Sequence, residues 1–316
     1  MALKVVCLVG GVGGAKLAHG LAQILEPGQL TVIVNTGDDF WHYGLRVCTD
    51  LDTVMYTLSG LANPATGWGI EGDTDGVLQG LRRYGEDTWF GIHDRDIATH
   101  LLRTQGLREG RRLTEVTRDL TTRLGIAHTI LPMTDAPVAT MVDTVEYGEL
   151  EFQEYFVKYR WEPTVKVLRL QGIDAAALSA EAAAAIAGAD VILFGPSNPW
   201  LSIMPILSVP GLHDALVARP VPRVAVTPII QGAAVKGPAS KLMAELGYKQ
   251  AALSIVQYYQ RVINGFVYDL RDGALSSETV HMVGMDTLMQ SDGDRAVLAR
   301  RVLDWVISWD PSPAGT

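Results

Sequence analysis

The sequence is short of cysteine, of basic runs and of long apolar runs. Cys7 and Cys48 are its two cysteines among 316 residues, which argues against a disulfide framework and against a thiolate zinc site. The formal net charge is -9 and no long run of Lys or Arg occurs, so a nucleic-acid-binding surface has little electrostatic support. The apolar run near the amino terminus, VVCLV, is too short for a signal peptide or a membrane helix. We therefore expect a cytoplasmic protein with neither a nucleic-acid nor a membrane partner.

Two common catalytic signatures are missing as well. The seven histidines form no HxxxH or HxH pair, and no GxSxG sequence occurs, so zinc-hydrolase and serine-hydrolase chemistry have no support. Apolar material is plentiful: 48% of the residues are hydrophobic and 19% are charged. That composition suffices for a large core near the upper size of one domain. We predict a single domain over residues 1–316.

Apolar runs alternate with helical patterns at both ends of the chain. Lys4 to Val9 is a buried-strand pattern, followed by a glycine turn, a helical pattern and a second strand at Leu30 to Val34. This order predicts a parallel strand-helix-strand unit. The same alternation returns later, with helices and strands at Ala180 to Ala187, Asp190 to Phe194, Gly211 to Ala218, Arg223 to Thr227 and Pro238 to Leu246. The expected fold class is α/β, a Rossmann-like three-layer fold with a mostly parallel sheet.

The middle of the chain has a different pattern. Helical periodicity indicates a helical layer at Leu51 to Leu58, Thr74 to Tyr84, Asp96 to Thr104 and Leu113 to Leu124. From Thr129 to Leu170, β-branched alternation around Tyr147-Gly148 predicts a small antiparallel hairpin. We expect residues 85–170 to form a helical and hairpin insertion that covers the substrate cleft. A last helix, Asp292 to Trp309, precedes a frayed PSPAGT end.

A glycine-rich turn joins the first strand to the first helix. Its residues Gly10, Gly11, Gly13 and Gly14 leave backbone N–H groups open to a phosphate at the helix amino terminus, and Lys16 follows. The turn departs from the dinucleotide fingerprint GxGxxG, because Lys16 stands at the last glycine, and from the P-loop pattern, which needs Ser or Thr next. The second strand also ends without an acid, so a nicotinamide oxidoreductase is disfavoured.

Acidic residues follow at the same predicted edge of the sheet. Asp38 and Asp39 come after the second strand, where facing a diphosphate requires a bridging hard cation such as Mg²⁺. Asp50 and Asp52 open the next helix, where they either cap it, share a metal, or leave one carboxylate to accept a proton from an attacking alcohol. Asp94 precedes a third helix with a guanidinium beside it.

Two polar turns complete the candidate site. Ser197 and Asn198, bracketed by prolines, follow the strand that ends at Phe194 and so belong to the ligand edge of an α/β sheet. Gly232 and Lys236 fill the loop before the helix that begins at Pro238, where the ammonium can reach an anion. Each turn also has a purely structural interpretation, as a rigid loop or an exposed lysine.

Seven segments, in order along most of the chain, resemble the 2-phospho-L-lactate transferase family, including its actinobacterial phosphoenolpyruvate transferase branch. The segments are VGGVGGAKLAHGL, VNTGDDFWHYGLRVCTDLDTVMYTL, DRDIATHLLRTQ, ILPMTDAPV, FQEYFV, GPSNPWLSIMPIL and PIIQGAAVKGPASKLM. The resemblance implies a Rossmann-like homodimer that uses magnesium. It also implies transfer of a phospho-organic acid from its diphosphoguanosine conjugate to the ribityl hydroxyl of the deazaflavin precursor Fo, with release of GMP.

The resemblance also implies roles for particular residues. The catalytic candidates are Asp50, Asp52 and Asp94, and the metal candidates are Asp38, Asp39 and Asp50. The expected Fo contacts are Asp52, Trp41 and Arg95. The expected nucleotide contacts are Gly10, Gly11, Gly13, Gly14, Lys16, Asn35, Ser197, Asn198, Gly232 and Lys236. Many family members read WFxLGDRD with a basic x that faces Fo, whereas this chain has Gly91 there, which removes a side-chain contact at that position.

A non-catalytic sugar-nucleotide sensor is the main alternative. A related regulatory family shares the glycine turn but reads DDGGSSG after the second strand, where this chain reads GDDFWHYGLRVCTDLD. Phe40 and Trp41 suit a flat ring, although either could instead pack in the core. The sequence does not choose among lactyl, enolpyruvyl and glyceryl donors; similarity around GLRVCTDLDT favours enolpyruvyl.

Overall fold

The structure, a computed structural model, describes residues 2–309; the end that we expect to fray, residues 311–316, lies outside them. The strands are listed in chain order: β1 (Val5–Val9), β2 (Leu30–Val34), β3 (Phe40–His42), β4 (Leu45–Val47), β5 (Thr129–Pro132), β6 (Ala139–Thr144), β7 (Gly148–Glu151), β8 (Val165–Gln171), β9 (Val191–Phe194), β10 (Arg223–Val226), β11 (Ile229–Ile230), β12 (Ala233–Ala234), β13 (Gly265–Asp269) and β14 (His281–Met285).

The helices alternate with these strands, as the sequence pattern predicts. They are α1 (Gly11–Ile24), α2 (Thr49–Leu58), α3 (Gly76–Arg83), α4 (Asp96–Arg108), α5 (Leu113–Arg123), α6 (Ala180–Ala187), α7 (Met204–Leu207), α8 (Leu212–Val217), α9 (Ala239–Glu245), α10 (Ala252–Tyr259) and α11 (Asp292–Ile307). Within residues 2–309, no helix combines the length and the apolar content needed to cross a membrane.

Seven strands form one parallel sheet in the order β14-β13-β10-β9-β1-β2-β5. Val5 pairs with Leu30 of β2 on one side and with Val191 of β9 on the other. The chain builds outward from β1 in both directions, so the order reverses between β1 and β9. In open α/β sheets, ligands bind at the carboxyl ends of the strands at such a reversal. The parallel sheet confirms the predicted α/β, Rossmann-like fold.

The core has one layer on each face of the sheet. Alternate residues of β1 point to opposite layers: Val6 and Leu8 join one apolar cluster, and Val5, Cys7 and Val9 join the other. Helices α1, α2, α5 and α11 supply the second cluster, while α6, α8 and α10 supply the first. Because both faces are covered, every residue of β1 is buried, as is typical of parallel sheets.

The sequence pattern and the structure differ in the middle and near the end of the chain. β5 (Thr129–Pro132) lies within the segment predicted as a small antiparallel hairpin, yet it forms the edge of the central sheet. The antiparallel sheet, in the order β7-β6-β8, therefore occupies only residues 139–171. Short apolar runs do not reveal which sheet they join. β13, β14 and the β3–β4 hairpin have no counterpart among the predicted elements, and the division into a domain and an 85–170 insertion stays a prediction.

Candidate active site

The glycine turn lies at the reversal point between β1 and β9. The N–H of Gly10 donates to Ser197 Oγ at 3.0 Å, and the Ser197 hydroxyl donates back to the Gly10 carbonyl at 2.8 Å. A Cβ on Gly10 would lie 2.5 Å from Asp50 Oδ2 and 2.6 Å from Ser202 Cβ. The close approach of three segments therefore requires glycine here, and the predicted Ser197 and glycine-turn residues do come together.

Asp50 is held directly against this turn. Its Oδ1 accepts from the Gly11 N–H at 2.7 Å, and its Oδ2 accepts from Asn35 Nδ2 at 2.9 Å. The Asn35 amide also donates to the Leu201 carbonyl, and its Oδ1 accepts from the Gly37 N–H at 2.8 Å. Burial raises the pKa of Asp50 to about 6, although the hydrogen bonds from Asn35 and Gly11 oppose that shift. Asp50 and Asn35, both expected in the site, meet at one point.

Asp38 and Asp39 lie in the loop after β2 and are buried. Burial and then the Asp50 charge raise the pKa of Asp38 well above its usual range. Burial raises the pKa of Asp39 to about 7, and the guanidinium of Arg46, 3.6 Å away, partly opposes this. Asp38 Oδ1 and both Asp39 oxygens are buried without a hydrogen-bond partner in residues 2–309. These carboxylates carry unsatisfied acceptors and repel one another, which a cation would relieve.

These acids fit Mg²⁺ when substrate phosphates and water supply its remaining ligands. Within residues 2–309, one set of three acidic or histidine side chains brings its ligand atoms within 4.8 Å of one another, and it consists of Asp52, Asp96 and His100. The predicted set of Asp38, Asp39 and Asp50 does not converge in that way. Mg²⁺ usually takes one or two carboxylates and fills its other positions with substrate phosphates and water. Asp38, with a buried oxygen that lacks a partner, can supply one such carboxylate ligand.

Asp52 is engaged by a buried arginine. Arg103 of α4 has no exposed surface, and its two terminal nitrogens bind the two Asp52 oxygens, Nη1 to Oδ2 at 3.1 Å. His100 lies between acids, with Nδ1 3.6 Å from Asp52 Oδ2 and Nε2 3.2 Å from Asp96 Oδ2. Tyr56 donates to Asp96 Oδ1 at 2.5 Å. Since the guanidinium already neutralises Asp52, we interpret this cluster as an ion-pair network rather than a metal site.

Two lysines line the other side of the turn. Lys16 donates to the Met289 carbonyl at 2.8 Å, and Lys236 donates to the Thr66 carbonyl. Burial and then the Lys16 charge lower the pKa of Lys236, which places the two ammonium groups near each other. In the described part of the chain, neither forms an ion pair within 4.0 Å of a carboxylate. Two ammonium groups that interact and, among the described residues, have no carboxylate within ion-pair distance suit a diphosphate.

The remaining polar turn residues have structural partners. Asn198 Oδ1 accepts from the N–H groups of Trp200 and Leu201, and so caps the helical turn Pro199–Ile203. Gly232 has a φ of 76°, and a Cβ there would lie 2.6 Å from the Gln250 carbonyl oxygen. Both residues shape loops at the ligand edge, and their contact with a nucleotide stays a prediction.

An aromatic cluster adjoins the loop after β2 that carries Asp38 and Asp39, which we call the acidic loop. Phe40 packs edge-on against Phe90 at 4.8 Å between ring centroids and lies 6.2 Å from Trp89. Lys158, from the segment that follows β7, lies 5.8 Å over the Trp89 ring. Trp41 is 54% exposed, with the Arg46 guanidinium 6.0 Å from its ring centroid. Phe40 is thus mostly core, whereas Trp41 offers a free face.

Asp94 and Arg95 are used by a neighbouring loop. Asp94 accepts from Thr74 Oγ1 at 2.5 Å and from the N–H groups of residues 76 and 77, which hold its pKa below the usual range. Arg95 Nη1 donates to the Glu71 carbonyl at 3.0 Å. Among residues 2–309, neither side chain bonds to the acids at positions 38, 39, 50 or 52. They fix the loop before α3.

Comparison with known proteins identifies the family of this chain. A family model described as 2-phospho-L-lactate transferase CofD matches residues 5–300. The chain belongs to this transferase family. It is 40% identical over 298 residues to the 2-phospho-L-lactate transferase of Methanosarcina mazei, covering 93% of this chain and 97% of that relative. The transferase therefore acts as an enzyme on small-molecule substrates.

Other relatives carry the second name of the family. The transferase is 40% identical over 312 residues to a phosphoenolpyruvate transferase of Streptomyces griseus, covering 96% and 98% of the two chains. It is 41% identical over 282 residues to one of Mycobacterium avium, covering 81% and 84%. A crystal structure of a UPF0052 family protein from Bacillus halodurans has a similar fold, with a TM-score of 0.61 at 16% identity, covering 96% of this chain and 99% of that one.

Three buried polar residues of the transferase are not predicted as site residues from the sequence. His100 and Arg103 lie on α4, and Gln153 lies between β7 and the following helical turn. Gln153 donates to the Asp38 carbonyl and to Thr49 Oγ1, both at 3.2 Å. Their spacing offers one clue in the sequence: His100 and Arg103 are three residues apart and so lie on the same face of a helix. Their burial is decided by the partners across the site.

Proposed function

We propose that the chain transfers a phospho-organic acid from its diphosphoguanosine conjugate to the terminal ribityl hydroxyl of Fo, releasing GMP. This reaction is one step in making the deazaflavin coenzyme. The observation that carries the proposal is the combination of opposite charges at the glycine turn. Asp50 is bonded to the turn and its charge acts on Asp38, while Lys16, in the helix after the turn, acts on Lys236. A bound diphosphate with a cation would complement both sets of charges.

The guanosine diphosphate part would lie across the carboxyl ends of β1 and β9. The N–H groups of Gly10 and Gly11 are bonded to Ser197 and Asp50, so the next N–H groups in the first turn of α1 and the helix dipole would favour an anion there. Lys16 and Lys236 would neutralise its remaining charge, since neither has a carboxylate counter-ion within 4.0 Å in the described residues. Ser197 holds the turn in shape through its two bonds to Gly10. The glycines are then required for both the close approach and the binding.

Mg²⁺ would be held by Asp38 and Asp50, with Asp39 next to them. The unsatisfied Oδ1 of Asp38 and the repulsion between the Asp38 and Asp50 charges support this assignment. When bound, the ion would neutralise the diphosphate and stabilise the charge that develops on the leaving phosphate. The residues themselves position it, because the Gly11 N–H and the Asn35 amide fix the orientation of Asp50.

The acceptor would approach from the aromatic side of the acidic loop. The exposed Trp41 ring suits the flat deazaflavin, and the ribityl chain would lead its hydroxyl toward the acids. The hydroxyl oxygen forms a bond to the phosphorus that carries the organic acid, and the bond from that phosphorus to the GMP oxygen breaks. The hydroxyl proton passes to a carboxylate. Positioning and electrostatics supply most of the acceleration in such in-line displacements.

The direct test is an assay of the purified protein with Fo, Mg²⁺ and one donor at a time. The lactyl, enolpyruvyl and glyceryl conjugates are compared, and mass spectrometry follows GMP and the new phosphodiester. Product from any donor supports the proposal and identifies the organic acid; the relatives bear both the lactate and the enolpyruvate names. If no donor reacts while a sugar nucleotide binds tightly, the protein is a sensor instead.

We also propose that the protein works as a homodimer in the cytoplasm. Light scattering on a size-exclusion column should then give about twice the chain mass of 34.2 kDa. A mass equal to that of one chain would contradict the dimer and leave the transfer reaction open to the assay above.

A further inference from the structure

Arg103 joins three segments of the active site. It lies on α4, and its guanidinium binds both oxygens of Asp52 at the start of α2. Its Nη1 also donates to the carbonyl of Arg46 at 3.3 Å, and Arg46 belongs to the β3–β4 hairpin beside Asp39. The neighbouring residue Thr104 accepts from the Arg46 N–H at 2.8 Å. The acid-bearing end of α2 and the hairpin after the acidic loop are thus fixed to one helix.

The network around this arginine is largely buried, and the side chains of Asp52 and Asp96 keep 8% and 14% exposure. Arg103 and His100 are at most 1% exposed, and Asp52 is 5% exposed. His100 spans Asp52 and Asp96, and Asp96 is held in turn by Tyr56 and by its own N–H bond to Asp73. A planar guanidinium that engages both carboxylate oxygens restricts the carboxylate to one orientation. Apolar residues can often replace a buried ion pair without loss of stability. Stability alone therefore does not explain why this carboxylate is held in one orientation.

We infer that Arg103 is a positioning residue. It fixes the Asp52 carboxylate toward the acceptor hydroxyl, and it holds the β3–β4 hairpin in place against α4. The inference rests on the proposed function, in which a carboxylate receives the proton of the acceptor hydroxyl, and it takes Asp52 as that carboxylate. Asp52 keeps unused lone pairs that can accept a hydrogen bond from the hydroxyl. Arg103 acts through Asp52 and does not touch the donor, so its loss should change the rate with the acceptor and spare donor binding.

The test is steady-state kinetics of Arg103→Lys. Lysine keeps the charge but loses the two-pronged geometry, so we expect kcat to fall about 10-fold to 100-fold. The KM of the diphosphoguanosine donor should stay within about twofold. Arg112→Lys is the matched control, because Arg112 also binds a carboxylate with two nitrogens, at Glu181, yet it is exposed on the surface before α5. That variant should match the wild type.

A second variant separates positioning from a general loss of structure. Asp52→Asn is combined with Arg103→Lys. If Arg103 works through Asp52, adding Arg103→Lys to Asp52→Asn should lower kcat by less than about twofold further. Multiplication of the two single losses would overturn the inference, and so would an Arg103→Lys enzyme that matches the wild type. A wild-type protein that gives no product with any donor would instead overturn the proposed function itself, and this inference with it.

Discussion

At the scale of single residues, the site is built from carboxylates in unfavourable surroundings. Asp38, Asp39 and Asp50 are all buried, and burial is the largest cause of the raised pKa of each. A fold retains such groups at a cost, because burying charge without a partner is unfavourable. Perturbed acids in a cleft are typical of functional sites. Their use in binding a cation is the simplest compensation.

Asp50→Asn should nearly abolish transfer. The change removes the charge and replaces one acceptor oxygen by an NH₂ group, which would face a donor at Gly11 or Asn35. We expect kcat to fall by about 10²-fold or more, as for loss of a preorganised electrostatic group. Kinetics at saturating Mg²⁺ measure this effect. Asp174→Asn changes an exposed acid in the same way and should leave kcat unchanged; an active Asp50→Asn enzyme would remove Asp50 from the mechanism.

Gly10→Ala should disrupt the turn. The new Cβ would lie 2.5 Å from Asp50 Oδ2 and 2.6 Å from Ser202 Cβ, so at least one of these segments must shift. We expect kcat/KM for the donor to fall by about 10²-fold, since displacements near 1 Å have that effect. Gly80→Ala is the control, because no atom lies within 4 Å of its Cβ position in α3. It should stabilise by up to about 1 kcal/mol. Normal turnover by Gly10→Ala would show that the turn tolerates the shift.

At the scale of elements, the antiparallel sheet is tied to the acidic loop. Thr140 of β6 donates its N–H to the Gly37 carbonyl at 2.6 Å. Gln153, after β7, reaches the Asp38 carbonyl and the Thr49 hydroxyl. This sheet therefore contributes to the position of Asp38 without providing an acid of its own to that loop.

Gln153→Leu should destabilise the protein and loosen this connection. Leucine has a similar size but leaves a buried carbonyl and a hydroxyl without their donor, at a cost of about 1–3 kcal/mol. Urea unfolding monitored by circular dichroism measures the free energy of unfolding. Gln105→Leu, on the exposed face of α4, should change it by less than about 0.5 kcal/mol. Equal effects of the two substitutions would mean that the Gln153 bonds contribute nothing.

At the scale of the whole molecule, pH should act through the buried acids. The pKa of Asp39 is raised to about 7 and that of Asp50 to about 6, above their ordinary value of 3.8. The protonated forms thus favour the folded state, so this contribution is complete below the ordinary pKa and is lost as pH rises through 6 to 7. Magnesium held by these acids, as we propose, would require their ionised forms and compete with protons.

We therefore expect added Mg²⁺ to raise the Tm strongly at about pH 8 and little at about pH 5. Differential scanning fluorimetry with and without the ion measures the shift. In Asp38→Asn/Asp50→Asn protein the magnesium effect should disappear at both pH values. An equal Tm shift at both pH values in the wild type would place the ion away from these acids.

Part of this architecture follows from local sequence signals. The strand-turn-helix unit at Val5 to Ile24 is read from a buried run, four glycines and a helical period, and the structure confirms it. The carboxyl-edge rule then places Asn35 and Ser197 beside the glycine turn, because parallel strands end at the same edge of a sheet, and Asp50 reaches the turn from the start of α2. The role of β5 as a sheet edge is not predictable in this way, since a four-residue apolar run pairs wherever the tertiary fold leaves a place.

By itself, the sequence determined the fold class, the glycine turn, the family and the segments that supply the acids, because these depend on local periodicity and on residue types at fixed spacing. Only the tertiary structure decided how the acids differ. Asp52 meets a buried guanidinium 51 residues away in the chain, whereas Asp38 and Asp39 keep buried oxygens without partners. Carboxylates of the loop after β2 and of the start of α2 thus acquire different electrostatic surroundings, and those surroundings depend on long-range packing that no local pattern encodes.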